Sequence, residues 1–84
     1  MPRPMRFEVR HLRGAPVTWD ADALRAMPER PEFVLGQQGF RCIYTGRNVL
    51  VFVRGQRERE RLIVRYSQGT TGPSACLVES EGPR

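Results

Sequence analysis

Eighty-four residues can close one hydrophobic core and lack the surface for two, so the chain reads as a single domain with one working surface. The net charge of +5 favours a polyanionic partner such as nucleic acid. Two cysteines without CxxC spacing and one histidine argue against both a disulfide framework and a closed zinc site, so no metal or other cofactor is expected.

All fourteen basic residues are arginine. Arginine binds phosphate and carboxylate with a planar fork and stacks on flat rings, whereas lysine is a point charge. Arg, Gly, Pro, Ala and Val also share GC-rich codons, and that bias accounts for the missing lysine at least as well as function does. The charge is unevenly spread. Residues 1–14 carry four Arg against Glu8 and residues 40–66 carry seven Arg against two Glu, while 15–39 between them hold two Arg against four acids. A single basic surface therefore has to be built from the first strand and the central hairpins.

Residues 1–4 read as a flexible tail and 81–84 as a frayed end, with the domain spanning 5–80. Met5, Phe7 and Val9 alternate with Arg6, Glu8 and Arg10, the period of a half-buried strand. Thr18 or Asp20 can cap a short helix whose apolar side is Ala23, Leu24 and Met27, ended by Pro28. Pro31 to Leu35 is expected to be a short edge strand, since prolines 28 and 31 remove donors that a central strand needs.

Two alternating apolar runs flank Thr45-Gly46-Arg47-Asn48, so a hairpin pairing Tyr44 with Val49 is expected. That register places Phe40, Cys42, Tyr44, Val49, Val51 and Val53 on the core face. A second hairpin turning at Gly55 to Glu58 with an even-length loop adds Leu62, Val64 and Tyr66 to the same face. The opposite face then gathers Arg41, Ile43, Leu50, Phe52, Arg54, Arg59, Arg61, Ile63 and Arg65, too apolar for a face meant only for water. A flexible Ser67–Pro73 loop leads to a last strand over Ala75–Ser80. The fold class is α+β: a small curved antiparallel sheet of five or six strands, open or rolled into a small barrel, with one short helix.

Arg57, Arg59 and Arg61 stand two apart, a spacing that in a strand sets guanidinium groups about 6.5–7 Å apart on one side, near a phosphate repeat. Glu58 and Glu60 between them fit an ordinary solvated hairpin tip equally well. Phe52 among Arg41, Arg54 and Arg61 has the composition of a platform on which single-stranded bases stack. The competing reading buries Phe52, Leu50, Ile43 and Ile63 beneath the helix through Leu24, Met27 and Trp19. The parts of a catalytic site, His11, Glu8, Glu58, Glu60, Tyr44 and Tyr66, lack motif-level spacing, so an enzyme, in the form of a small ribonuclease-type toxin, is the remote alternative.

Two functions remain open. One is a non-enzymatic nucleic-acid-binding or nucleoprotein-associated domain, DNA or RNA, in which Arg41, Arg54, Arg59, Arg61 and Arg65 contact phosphates and Phe52 offers a stacking surface. The other is a protein-interaction module, a small inhibitor or regulatory subunit that turns the same face on an acidic protein or on a second copy of itself as a homodimer. No apolar run is long enough for a signal peptide or membrane span, so a cytoplasmic protein with reduced thiols is expected.

Overall fold

The computed structural model describes residues 5–70 and 72–84. The flexible tail expected at 1–4 lies outside these residues. Five strands, β1 (Arg6–Arg13), β2 (Arg41–Gly46), β3 (Val49–Arg54), β4 (Glu60–Gly69) and β5 (Gly72–Glu81), form one sheet in the order β1-β5-β4-β3-β2. Strands β2 to β5 are an antiparallel meander, and β1 lies parallel to β5 at one edge. The sheet is thus mixed rather than purely antiparallel, and it is open, with β1 and β2 as its edges.

The connection from β1 to β2 holds two short helices, α1 (Ala21–Leu24) and α2 (Pro31–Gln37). Asp20 caps α1, its carboxylate accepting from the Asp22 N–H at 2.9 Å. The edge strand expected over Pro31–Leu35 is instead α2. Pro31 occupies the first turn, where a missing N–H costs nothing because that group has no helical partner. Gly39, at φ 90°, ends α2: its N–H reaches Gly36 O and the Phe40 N–H reaches Leu35 O, a paired arrangement that needs a left-handed residue.

Both helical segments lie on one face of the sheet. Met27, Val34, Leu35 and Phe40 from the connection pack with Phe52, Leu62, Val64, Cys76 and Val78 from the strands, all buried. Phe52, Leu62 and Ser80 are successive register partners across β3, β4 and β5, as are Leu50, Val64 and Val78, so the covered face is read directly from the ladder. The core assignment on β4 therefore holds, and that on β3 is reversed.

Two local features cause the reversal. The loop between β3 and β4 runs from Gly55 to Arg59, with Arg54 opposite Glu60; five residues are an odd number, so Leu62 meets Phe52 rather than Val51. The first hairpin is tighter than expected, pairing Gly46 with Val49, and carries a bulge between Cys42 and Tyr44. Cys42 consequently stays with Phe52 and the core, while Tyr44 pairs with Val51 on the other face. Arg57 (φ 59°) and Glu58 (φ 53°) sit in a 3-10 turn, so the arginines at 57, 59 and 61 do not share one strand side.

Residues 82 and 83, beyond the last strand, hydrogen-bond to the chain that leaves β1. Gly82 N–H donates to Arg13 O at 3.0 Å and Ala15 N–H to Pro83 O at 2.7 Å, extending the β1–β5 contact past both strands. Strand pairing also takes in most of the expected Ser67–Pro73 loop, since β4 continues to Gly69 and β5 starts at Gly72. Among the described residues, no helix is long and apolar enough to cross a membrane.

Phe52 is 1% exposed at the centre of the covered face, and Val51 is half-buried on the opposite one. Phe52→Ala is expected to cost about 3–5 kcal/mol through lost transfer energy and the cavity left behind. Val51→Thr, which keeps β-branching and shape, is expected to cost about 1 kcal/mol or less. Urea unfolding of the two variants at unchanged m-value checks both, and equal losses would overturn the face assignment.

Candidate nucleic-acid interface

The helices leave the other face of the sheet open, and alternation along each strand fixes what it presents. One cross-strand row reads Arg41, Val53, Arg61, Glu81, Arg13. The next reads Tyr44, Val51, Ile63, Glu79, Arg10, and the one beyond it Val49, Arg65, Leu77, Glu8. Arg6 pairs with Ala75 and belongs to the same face. An apolar strip through Tyr44, Val51 and Ile63 is thereby bordered on both sides by rows containing arginine.

Opposite charges on this face are largely matched. Glu8 faces Arg10 at 3.4 Å, Glu81 faces Arg13 at 3.6 Å and Glu79 faces Arg65 at 2.9 Å, while Glu58 reaches back from its turn to Arg41. The arginines of these four pairs are each more than half exposed, and exposed pairs of this kind contribute about 0–1 kcal/mol. Among the described residues, Arg6, Arg59 and Arg61 make no ion pair. Arg59 and Arg61 instead line a shallow basin of about 500 Å³ at one end of the face, together with Arg13 and Arg84.

Of the residues expected to bind, Arg41, Arg61 and Arg65 lie on this face and Arg59 at its rim. Arg54 and Phe52 do not. Phe52 is enclosed under the helices, so its ring offers no face to a base. Of the competing apolar cluster, Leu50 packs against the same core, Ile63 belongs to the open face and Ile43 is 46% exposed at the bulge. The aromatic that is accessible on the arginine face is Tyr44, 56% exposed, which the bulge after Cys42 carries there.

Arg54 closes the covered face instead. Its guanidinium holds Glu60 through two bonds of 2.8 Å, donates to Gln38 O at 2.9 Å and Thr18 O at 2.7 Å, and lies 4.1 Å from the Phe40 ring centre. The fork of this pair holds the Glu60 carboxyl below its ordinary value, an effect that partial burial opposes.

The possible catalytic parts are dispersed. His11 Nε2 faces Gly14 O at 2.9 Å, which can only accept, so Nε2 donates, while Nδ1 lies 2.9 Å from the Ser80 hydroxyl oxygen. Both nitrogens of His11 are thus engaged beside the covered face. Glu8 and Tyr44 lie on the open face, Glu60 is held by Arg54, and the Tyr66 hydroxyl donates to Pro28 O at 2.8 Å. Burial pushes the Tyr66 phenol and the Cys76 thiol up, keeping both protonated at neutral pH. No group of three or more metal-ligating side chains occurs among the described residues.

Compared with protein-family models, curated proteins and solved structures, the chain matches none. The site therefore rests on its own geometry.

Arg54→Met keeps the apolar stem but strips partners from Glu60, Gln38 O and Thr18 O; the expected loss is about 2–4 kcal/mol at pH 7. Because the folded Glu60 pKa lies below the ordinary glutamate value, the pair's contribution is full above that ordinary value and is lost as pH falls through the folded pKa. The gap in denaturant midpoint between wild type and Arg54→Met, measured from pH 7 down to 3, should narrow toward the acid end while the bonds to Gln38 O and Thr18 O keep it open, and parallel curves would refute the linkage.

Proposed function

We propose that the chain binds nucleic acid through the open face of its sheet, without catalysis, by phosphate contacts from Arg59, Arg61, Arg65, Arg41 and Arg6. The observation that carries this reading is the placement of Arg59 and Arg61, without ion-pair partners among the described residues, on one basin at the end of an exposed face already rich in arginine. Guanidinium groups fit phosphate oxygens with two parallel bonds, and a face with surplus positive charge gains by releasing the counterions of a polyanion.

Arg61 and Arg65 stand four residues apart on one side of β4, about 13 Å, which spans two steps of an extended strand of nucleotides. Tyr44, across the apolar strip, offers the flat ring on which a base stacks. The face is open, and suits a single strand laid across Val51 and Ile63 better than a groove-reading element. A cytoplasmic setting with reduced thiols accompanies this proposal.

A second reading draws on that apolar strip. Tyr44, Val51 and Ile63 side by side, rimmed by charged residues, have the make-up of a small interface core, for an acidic protein or for a second copy of the chain. Salt separates the two. Binding of a fluorescent single-stranded oligonucleotide is expected to weaken steeply with salt, and Arg59→Gln with Arg61→Gln to flatten the slope of log K against log salt by about 1.4 units. Tyr44→Ala is expected to cost about 1–3 kcal/mol on single strands and much less on duplex. No binding at low salt, with a doubled mass in sedimentation that Tyr44→Ala reverses, would reject nucleic acid in favour of the interface.

A further inference from the structure

We infer that the basin at the end of the open face is a pocket for a phosphomonoester, the terminal phosphate of a nucleic-acid strand lying on the sheet, so that the protein recognises strand ends. The inference rests on the nucleic-acid reading above and adds to it where the strand stops.

Charge is the first argument. A backbone phosphodiester carries one negative charge, whereas a terminal phosphomonoester carries about 1.5–2 at neutral pH and presents three strong acceptor oxygens. At the basin, Arg13 pairs with Glu81 and Arg41 with Glu58, and among the described residues neither Arg59 nor Arg61 has a carboxylate within ion-pair distance. Two free forks match a dianion. Along the rest of the face the arginines Arg65 and Arg10 already stand beside carboxylates, an arrangement suited to the single charge of an internal phosphate.

Shape is the second argument. One side of the basin is formed by the chain at Gly82 and Pro83, which crosses the exit of β1 and is fastened there by Gly82 N–H to Arg13 O and Ala15 N–H to Pro83 O. The crossing is close because both sides are glycine. Gly14 has φ 81°, and a Cβ there would stand 2.2 Å from Gly82 O, while one on Gly82 would stand 1.7 Å from Ala15 O. A strand running along β4 from Arg65 toward Arg61 meets this wall rather than open solvent. The volume of about 500 Å³ has room for a terminal nucleotide and falls in the ~300–1,000 Å³ range of small-ligand sites.

The test compares ten-nucleotide single strands of one sequence carrying a 5′-phosphate, a 3′-phosphate or only hydroxyl ends, by fluorescence anisotropy at fixed salt. A phosphate at one end is expected to tighten binding about tenfold. Arg59→Gln with Arg61→Gln should erase that preference, and Arg65→Gln, outside the basin, should weaken all three strands alike and keep it. Equal binding of all three strands by the wild-type protein would overturn the inference and leave the nucleic-acid reading standing, whereas no binding of any strand would remove both. Capture of a free nucleoside monophosphate as tightly as the phosphorylated strand would also overturn it, by showing a small-molecule site that gains nothing from the sheet.

Discussion

The helical layer and the sheet are joined at one polar point, the Arg54 guanidinium. It leaves the last residue of β3 and fixes the approach to α1 at Thr18, the end of α2 at Gln38 and the start of β4 at Glu60, with the Phe40 ring against its flat side. These segments have little regular structure of their own, since α1 has four residues and α2 seven, too short to persist without packing. Gly39 belongs to the same device. Its left-handed turn swings Phe40 under Arg54, and a side chain there would press on the Arg54 stem at 3.3 Å. One arginine that composition suggests is for binding is therefore committed to architecture.

Because the connection is held to one side, the other side of the sheet is exposed and its arginines need no structural partner. The division of labour runs along the strands themselves. On β3, Leu50 and Phe52 face the helices while Val49, Val51 and Val53 form the middle of the open face; on β4, Leu62 and Val64 alternate in the same way with Arg61, Ile63 and Arg65. Val53 is only 1% exposed on this face, and it stands in register between Arg41 and Arg61. Long arginine stems commonly cover apolar surface while their charged ends remain in water. The open face is thus apolar at its floor and cationic at its surface.

Much of the fold was legible from residue periodicity. The strand at the start of the chain, the central hairpins, the last strand and the core side of β4 all follow from alternation, because burial on one face imposes a period of two. What alternation does not carry is the relation between one strand and the next. That depends on loop parity: five residues between Arg54 and Glu60, with a 3-10 turn inside, reverse the face of β3 and move Phe52 from an imagined binding surface into the core. The bulge at Ile43 did the same for Tyr44 and hid the accessible aromatic. Pro31 was a problem of context, since the same missing N–H that excludes proline from a central strand suits it to a helix start, and Glu32 in the first turn with Gly39 after the last were the signals that distinguish the two. Arg54 carried no sequence signal beyond its charge, because its partners at 18, 38 and 60 are distant along the chain.

The parallel pairing of β1 with β5 also has a kinetic meaning. His11 and Ser80, which meet across it, are 69 residues apart, so the strand made first finds its neighbour almost at the end of the described chain. The β2–β4 meander closes through short turns and can assemble on its own local contacts, whereas β1 and β5 must close the longest loop in the molecule. During synthesis at about 5–20 residues per second, β1 waits roughly 3–14 s for its partner to be made. Over that interval its hydrogen-bonding groups and Phe7 have no sheet to join. The alternating charges Arg6, Glu8 and Arg10 are well placed for that wait, since charged side chains discourage an unpaired strand from pairing with the wrong one.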